Sequence, residues 1–207
     1  MTAYEPASME GRKRWAPDAR RAQLLAVAEG VFTRLGYQGT AVDDIASAAG
    51  VTRTLIYKYF PDKDAIYLEC SRAARAEIED TFAAAALAHE SPEDQLRAGI
   101  GAYFEFVEER RQKWDLLFGP GIAIAGPVAE EVAELRYATA EKIAALVQNA
   151  VPHLDTESAS AYAHLISGAC EQLAKWWRRH PDIPAERAVE HAMAAVWTGI
   201  ESQVRRR

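Results

Sequence analysis

The sequence predicts an all-α protein of about nine helices, with a small N-terminal three-helix head joined to a larger helical body. Three observations carry this reading. Apolar residues recur at spacings of three and four through segment after segment, the rhythm of a helix with one buried face. No stretch shows the two-residue alternation of a strand. Glycine and proline punctuate the periodic segments, at Gly36, Gly50, Pro61, Gly119-Pro120-Gly121, Gly126-Pro127 and Pro152.

Composition bounds the function. The 207 residues are 49% apolar and 26% charged, ordinary for a globular protein able to bury a core. No apolar run approaches the ~20 residues of a membrane span, and no signal-peptide pattern opens the chain. Cys70 and Cys170 stand alone, without disulfide or metal-knuckle spacing. A cytoplasmic protein is expected. The net charge of −6 argues against indiscriminate nucleic-acid binding. Residues 1–70 hold nine Lys/Arg against nine Asp/Glu, so the acid excess lies after residue 70. A neutral head with clustered basic groups on an acidic body suits a small DNA-reading module attached to a domain with another task.

Residues 1–17 carry Arg12-Lys13-Arg14 and no helical period, and read as a flexible basic arm. Two readings stay open: a solubilising tail, or an arm reaching DNA phosphates or the minor groove. Asp18 to Leu35 is the first helix, with Leu24, Ala28, Val31 and Leu35 in one stripe and Gly36 as its stop. A second helix follows, with Val42, Ile45, Ala46 and Ala49 on one face. Thr40 stands before it as a start signal, with Asp43 three residues on. Gly50 supplies the turn and Thr52 caps a third helix. Ile56 and Phe60 bury one side of that helix, leaving Arg53, Thr54, Leu55, Tyr57 and Lys58 to the others. Pro61 stops it and Asp62 caps the fourth helix, which runs to about Leu87. Two short helices around a glycine, with Arg, Lys, Thr and Tyr outward, make a helix-turn-helix pattern.

Residues 18–68 closely resemble the DNA-binding domain of TetR-family transcriptional regulators. The likeness rests on Ala28, Phe32 and Gly36-Tyr37, on Ile45-Ala46 with Ala49-Gly50-Val51, and on Tyr57, Phe60-Pro61 and Lys63. It implies that Thr40, Thr52, Arg53, Thr54, Leu55, Tyr57, Lys58, Tyr59 and Lys63 form the DNA face. Arg53 is the candidate for guanine, whose O6 and N7 a guanidinium can span. Lys63, in the first turn of the fourth helix, would clamp a phosphate. Three positions depart from the family. Leu55 replaces a small or hydroxyl residue, and either meets a thymine methyl or packs back on the protein. Tyr59 replaces a common His. Ala41 replaces a Thr that caps the second helix and touches phosphate, a role Thr40 would have to take.

Residues 69–207 form the body. Ser91-Pro92-Glu93-Asp94 restarts the chain into a helix to about Arg111. A short apolar segment with Trp114, Leu117 and Phe118 follows. Further helices carry Val128 to Leu146, then Tyr162 to Trp176 after an Asp155 or Thr156 cap, then Val189 to Ile200. The family likeness implies a small-molecule site in this body, for which Tyr103, Phe104, Trp114, Phe118, Arg136, Thr139 and Tyr162 are candidates. The last two helices are the expected dimer interface, since in the family two such helices per chain form a four-helix bundle. Ala169, Trp176, Met193 and Trp197 are its candidates. The five histidines fall into no metal-ligand spacing, and no phosphate loop or nucleophile elbow is present. No cofactor, metal or enzymatic activity is expected. The reading is a homodimeric repressor that binds a palindromic operator on double-stranded DNA and releases it when a small-molecule effector of unknown identity enters the body. Two rivals remain: a DNA-binding regulator with a filled core and no ligand, and a cysteine redox sensor.

Overall fold

In a computed structural model, residues 16–119 and 126–204 are described. They form nine helices and no strand: α1 (Pro17–Gly39), α2 (Val42–Ala48), α3 (Arg53–Tyr59), α4 (Lys63–Leu87), α5 (Pro92–Glu109), α6 (Arg111–Phe118), α7 (Pro127–Ala150), α8 (Thr156–Trp177) and α9 (Ala185–Val204). The basic cluster Arg12-Lys13-Arg14 lies outside the described residues. No described helix is long and apolar enough to cross a membrane.

Local chemistry sets most of the boundaries. Thr52, Asp62, Ser91 and Asp155 each sit at an N-cap, and each accepts a backbone N–H from three residues on. The start of α2 differs from the sequence expectation. Ala41 is the N-cap, its N–H donating to the Asp44 carboxylate at 2.8 Å. Thr40 is buried and donates its hydroxyl back to the Gly36 carbonyl at 2.7 Å. The cause lies upstream. Gly36 adopts φ 71 and ψ 165, conformational space that only glycine occupies comfortably. The chain then makes one more turn to Gly39, and Thr40 closes the loop rather than opening the next helix. A second difference falls after α5, where Arg110 at φ −109, ψ 41 breaks the helix. The apolar segment with Trp114 and Phe118 is itself a helix, α6.

The head packs α1, α2 and α3 around Leu24, Ala28, Val31, Ile45, Ile56 and Phe60, each at most 1% exposed. It continues without a break into the body through α4. Phe32 of α1, Tyr37 and Tyr67 of α4 meet edge-on, with ring centroids 5.1 and 5.0 Å from Tyr67. Tyr37 donates its hydroxyl to Asp64, and Tyr67 donates its own to the Leu116 carbonyl at 3.1 Å. Arg21 reaches over the Phe60 ring to pair with Glu69. In the body α4 packs against α5 and α7, α8 lies along α7, and α9 closes against α5 and α8. Phe104 and Trp177 stack edge-on at 5.5 Å, and the Trp177 indole donates to the Ile183 carbonyl at 2.7 Å.

Gly36→Ala is expected to lower unfolding free energy by about 1–3 kcal/mol, the cost of forcing a β-carbon into that backbone region. Urea denaturation checks it; an unchanged midpoint would show that the turn relaxes freely.

Candidate DNA-binding face and body cavity

On α3 the buried side is Ile56, with Phe60 at the C-cap. Arg53, Thr54, Tyr57 and Lys58 are exposed; Leu55 and Tyr59 are half-buried. Thr52 spends its hydroxyl on the cap, accepting the Leu55 N–H at 3.3 Å. Arg53 is already oriented. It donates to the Asp43 carboxylate of α2 at 3.0 Å and to the Tyr57 hydroxyl at 2.9 Å, and lies over the Tyr57 ring at 5.3 Å. Both charges of the Arg53–Asp43 pair are more than half exposed, so the pair adds little stability. Its effect is to aim the guanidinium. Asp43 was missed in sequence because it reads only as a helix-start acid. Lys63 donates to the Tyr37 carbonyl at 3.0 Å, its ammonium 4.3 Å from the Tyr37 ring centroid. Two N–H donors remain on it, beside the N-terminus of α4. Thr40, buried and bonded inward, is not on this face.

The body holds a cavity of about 130 Å³ that opens to solvent. Its walls come from α4, α5, α6, α7, α8 and α9. Along α4 it runs from Arg75 to Ala86, along α7 from Thr139 to Ala150, and along α5 from Tyr103 back to Pro92. Each of these spans eleven helical steps, about 16 Å, so the cavity is long and narrow. Most of its wall is apolar, with Ile78, Phe82, Ile100, Ile143, Leu146 and Trp197 among the lining side chains. The charged groups gather at one end, while Gln95 lies toward the other. Arg75 and Glu171 are buried there beside Thr139. Glu171 accepts from Arg136 and Lys175, while Glu79, one turn beyond Arg75, accepts from Thr139 and Lys142. Burial, and then the nearby Arg136, pull the Arg75 guanidinium down to about 10.

A family model described as "Bacterial regulatory proteins, tetR family" matches residues 24–70, and one described as "Tetracyclin repressor-like, C-terminal domain" matches residues 92–199. The chain belongs to the TetR family. It is a transcriptional regulator with a DNA-binding helix-turn-helix, and neither its family nor its relatives are enzymes. Among relatives, the transcriptional activator FasR of Mycolicibacterium smegmatis is 27% identical over 184 residues, covering 88% of this chain and 84% of FasR. A TetR-like regulator from Rhodococcus sp. RHA1 superposes with a TM-score of 0.72 at 22% identity, over 91% of this chain and 99% of that one. The regulator FadR of Bacillus subtilis, solved in complex with stearoyl-CoA, superposes at 0.69 and 15% identity, over 83% and 96%.

Against this TetR architecture the sequence candidates separate. Tyr103, Phe118 and Thr139 line the cavity. Arg136 is exposed but reaches the polar end through Glu171 and lies over the Phe118 ring at 5.9 Å. Phe104, Trp114 and Tyr162 do not line it. Phe104 is fully buried against Trp177, and Trp114 sits behind Tyr103, donating its indole N–H to the Tyr103 hydroxyl at 3.0 Å. Tyr162 packs toward the Val151–Leu154 turn. The dimer candidates also divide. Ala169 and Trp176 are exposed on α8, in line with Leu165 at 66% exposure. Met193 is buried in the chain's own core, and Trp197 is half-buried and lines the cavity. Sequence reasoning passed over Arg75 and Glu171. The available signal was a cation falling within the buried stripe of Ala74, Ile78 and Phe82.

Both cysteines are buried, and burial pushes each thiol up to about 12. Cys70 donates its S–H to the Leu25 carbonyl at 3.6 Å. At neutral pH almost no thiolate forms, and the thiolate is the species that reacts. Iodoacetamide at mildly alkaline pH should leave the native chain unlabelled and modify both positions once it is denatured. Rapid native labelling by mass would restore the redox-sensor reading.

Proposed function

We propose that this TetR-family protein is a cytoplasmic homodimeric repressor that binds a palindromic operator and lets it go when a small molecule enters the body cavity. Residues 18–68 would read DNA and residues 69–207 would bind effector and partner. One observation carries the reading: α4 bears Lys63 on the proposed DNA face and lines the cavity from Arg75 to Ala86. A ligand that fits the cavity better in one setting of α4 shifts the heads with it. The Bacillus subtilis neighbour, crystallised with stearoyl-CoA, supports small-molecule binding in this fold. The Mycolicibacterium relative is named an activator, and operator position relative to a promoter decides that sign, so a reporter fusion tests repression directly.

For assembly, α8 offers Leu165, Ala169 and Trp176 outward, with Tyr137 of α7 also 56% exposed. A palindrome needs two heads, and an apolar face of this kind is what a two-fold interface covers. A dimer is expected at micromolar concentration in analytical ultracentrifugation, with Leu165→Glu driving it to monomer. A monomeric wild type would end the proposal.

For DNA reading, Arg53 is assigned to a base edge and Lys63 to phosphate. Arg53→Ala should lose about 1–3 kcal/mol on the preferred site and relax selectivity at one position per half-site. Lys63→Ala should weaken all sequences about equally and lower the salt slope by about one per contact. Titrations on single-base operator variants at several salt concentrations decide. If Lys63→Ala altered base preference and Arg53→Ala did not, the assignments would be reversed.

A further inference from the structure

Arg75 is 4% exposed, yet its Nε and Nη2 find no hydrogen-bond partner among the described residues. A buried guanidinium normally has its donors filled, because leaving them bare forfeits the hydration they had in the unfolded chain. The Phe118 ring lies 5.6 Å from its guanidinium carbon and offers no oxygen or nitrogen acceptor. The carboxylates nearby are committed elsewhere: Glu79 to Thr139 and Lys142, Glu171 to Arg136 and Lys175. Four cations, Arg75, Arg136, Lys142 and Lys175, therefore face two carboxylates at the polar end of the cavity. The surplus is positive, and its one buried and unfilled donor set lines the cavity.

Resting on the ligand-responsive reading, we propose that the cavity takes a slender apolar chain ending in a single anionic group, a carboxylate in the simplest case, and that Arg75 receives that group. The shape agrees with the charge. From the Arg75 end the cavity runs about 16 Å between α4, α5 and α7 toward Ala86 and Ala150, with mostly apolar walls and no charged side chain beyond that end. An unbranched chain fills such a tube, and a carboxylate at its head accepts from Nε and Nη2 side by side, the geometry a guanidinium fork favours. A neutral head would leave the positive surplus in place, and an ammonium would add to it.

The test compares decanoate, decanol and decylamine by calorimetry on the full-length protein, with operator release read in parallel. Decanoate should bind at least roughly tenfold tighter than decanol, the scale of a charged hydrogen bond over a neutral one, and decylamine weakest. In Arg75→Met the preference for decanoate over decanol should vanish while decanol binding stays within about threefold; Arg75→Lys should keep part of it. Ligand-free Arg75→Met should also unfold at a higher denaturant concentration than wild type, because it removes an unfilled buried charge. A lower midpoint would make Arg75 a structural residue and overturn the proposal. Equal binding of acid and alcohol to wild type, or an acid preference surviving Arg75→Met, overturns the anion anchor and leaves the ligand-responsive reading intact. If none of the three binds or releases operator, the apolar-chain site falls, and cavity-filling Gly99→Leu then decides the broader reading: an unaltered response to inducing cell extract removes it.

Discussion

The molecule depends on α4 being one uninterrupted helix. Its 25 residues span about 37 Å, from the Asp62 cap beside the proposed DNA face to the far end of the cavity. α1 and α6 grip its first half through Phe32, Tyr37, Tyr67 and the Leu116 carbonyl. α5 and α7 grip its second half along the cavity. A hydrogen-bonded helix without a kink moves as a rod, so a shift at the level of Arg75 reaches Lys63, twelve residues and about 18 Å away. No separate relay is required. Secondary structure alone spans the distance between the cavity and the proposed DNA face.

The acid excess of the chain takes on meaning in the body. Glu79 and Glu171 are both nearly inaccessible and would be costly if left single. Glu79 of α4 instead draws in Lys142 of α7, and Glu171 of α8 draws in Arg136 of α7 and its own Lys175, which ties α7 to α4 and to α8 around the end of the cavity. Arg75 sits among them without an equivalent partner. Two hydrogen-bonded carboxylates next to one guanidinium with unfilled donors is an arrangement that stability alone does not select, since apolar residues of similar size would pack there at lower cost.

Much of this was legible in the sequence, for a physical reason. Helix starts are decided by groups a few residues apart, so Thr52, Asp62, Ser91 and Asp155 announce their caps without reference to the rest of the chain. Thr40 failed by the same logic, because the glycine conformation at Gly36, four residues earlier, recruited its hydroxyl. The body was harder. Helical period shows that Met193, Trp197 and Trp176 are apolar and spaced to be covered, but not whether the cover is the same chain, a ligand or a second copy. Here the three go different ways: Met193 into the core, Trp197 onto the cavity, Trp176 outward. Phe104 and Trp114 failed likewise, since aromatic size fills a core as readily as it walls a cavity.

The two arginines that matter most differ chiefly in burial, and that difference suits their proposed tasks. Arg53 is exposed, and its bonds to Asp43 and Tyr57 compete with water throughout. Exchanging Asp43 for a guanine edge therefore involves little loss, while the carboxylate beside it repels phosphate and discourages the guanidinium from settling on the backbone. Selectivity gains more than affinity from such an arrangement. Arg75 is buried. An anion reaching it would gain a charge-assisted hydrogen bond in a low-dielectric setting, stronger than the same bond at the surface. Coupling of about 1–3 kcal/mol between two sites is typical of allosteric proteins. A buried, unfilled guanidinium on the helix that carries Lys63 can supply a differential of that size from one contact, provided the fit differs between two settings of α4.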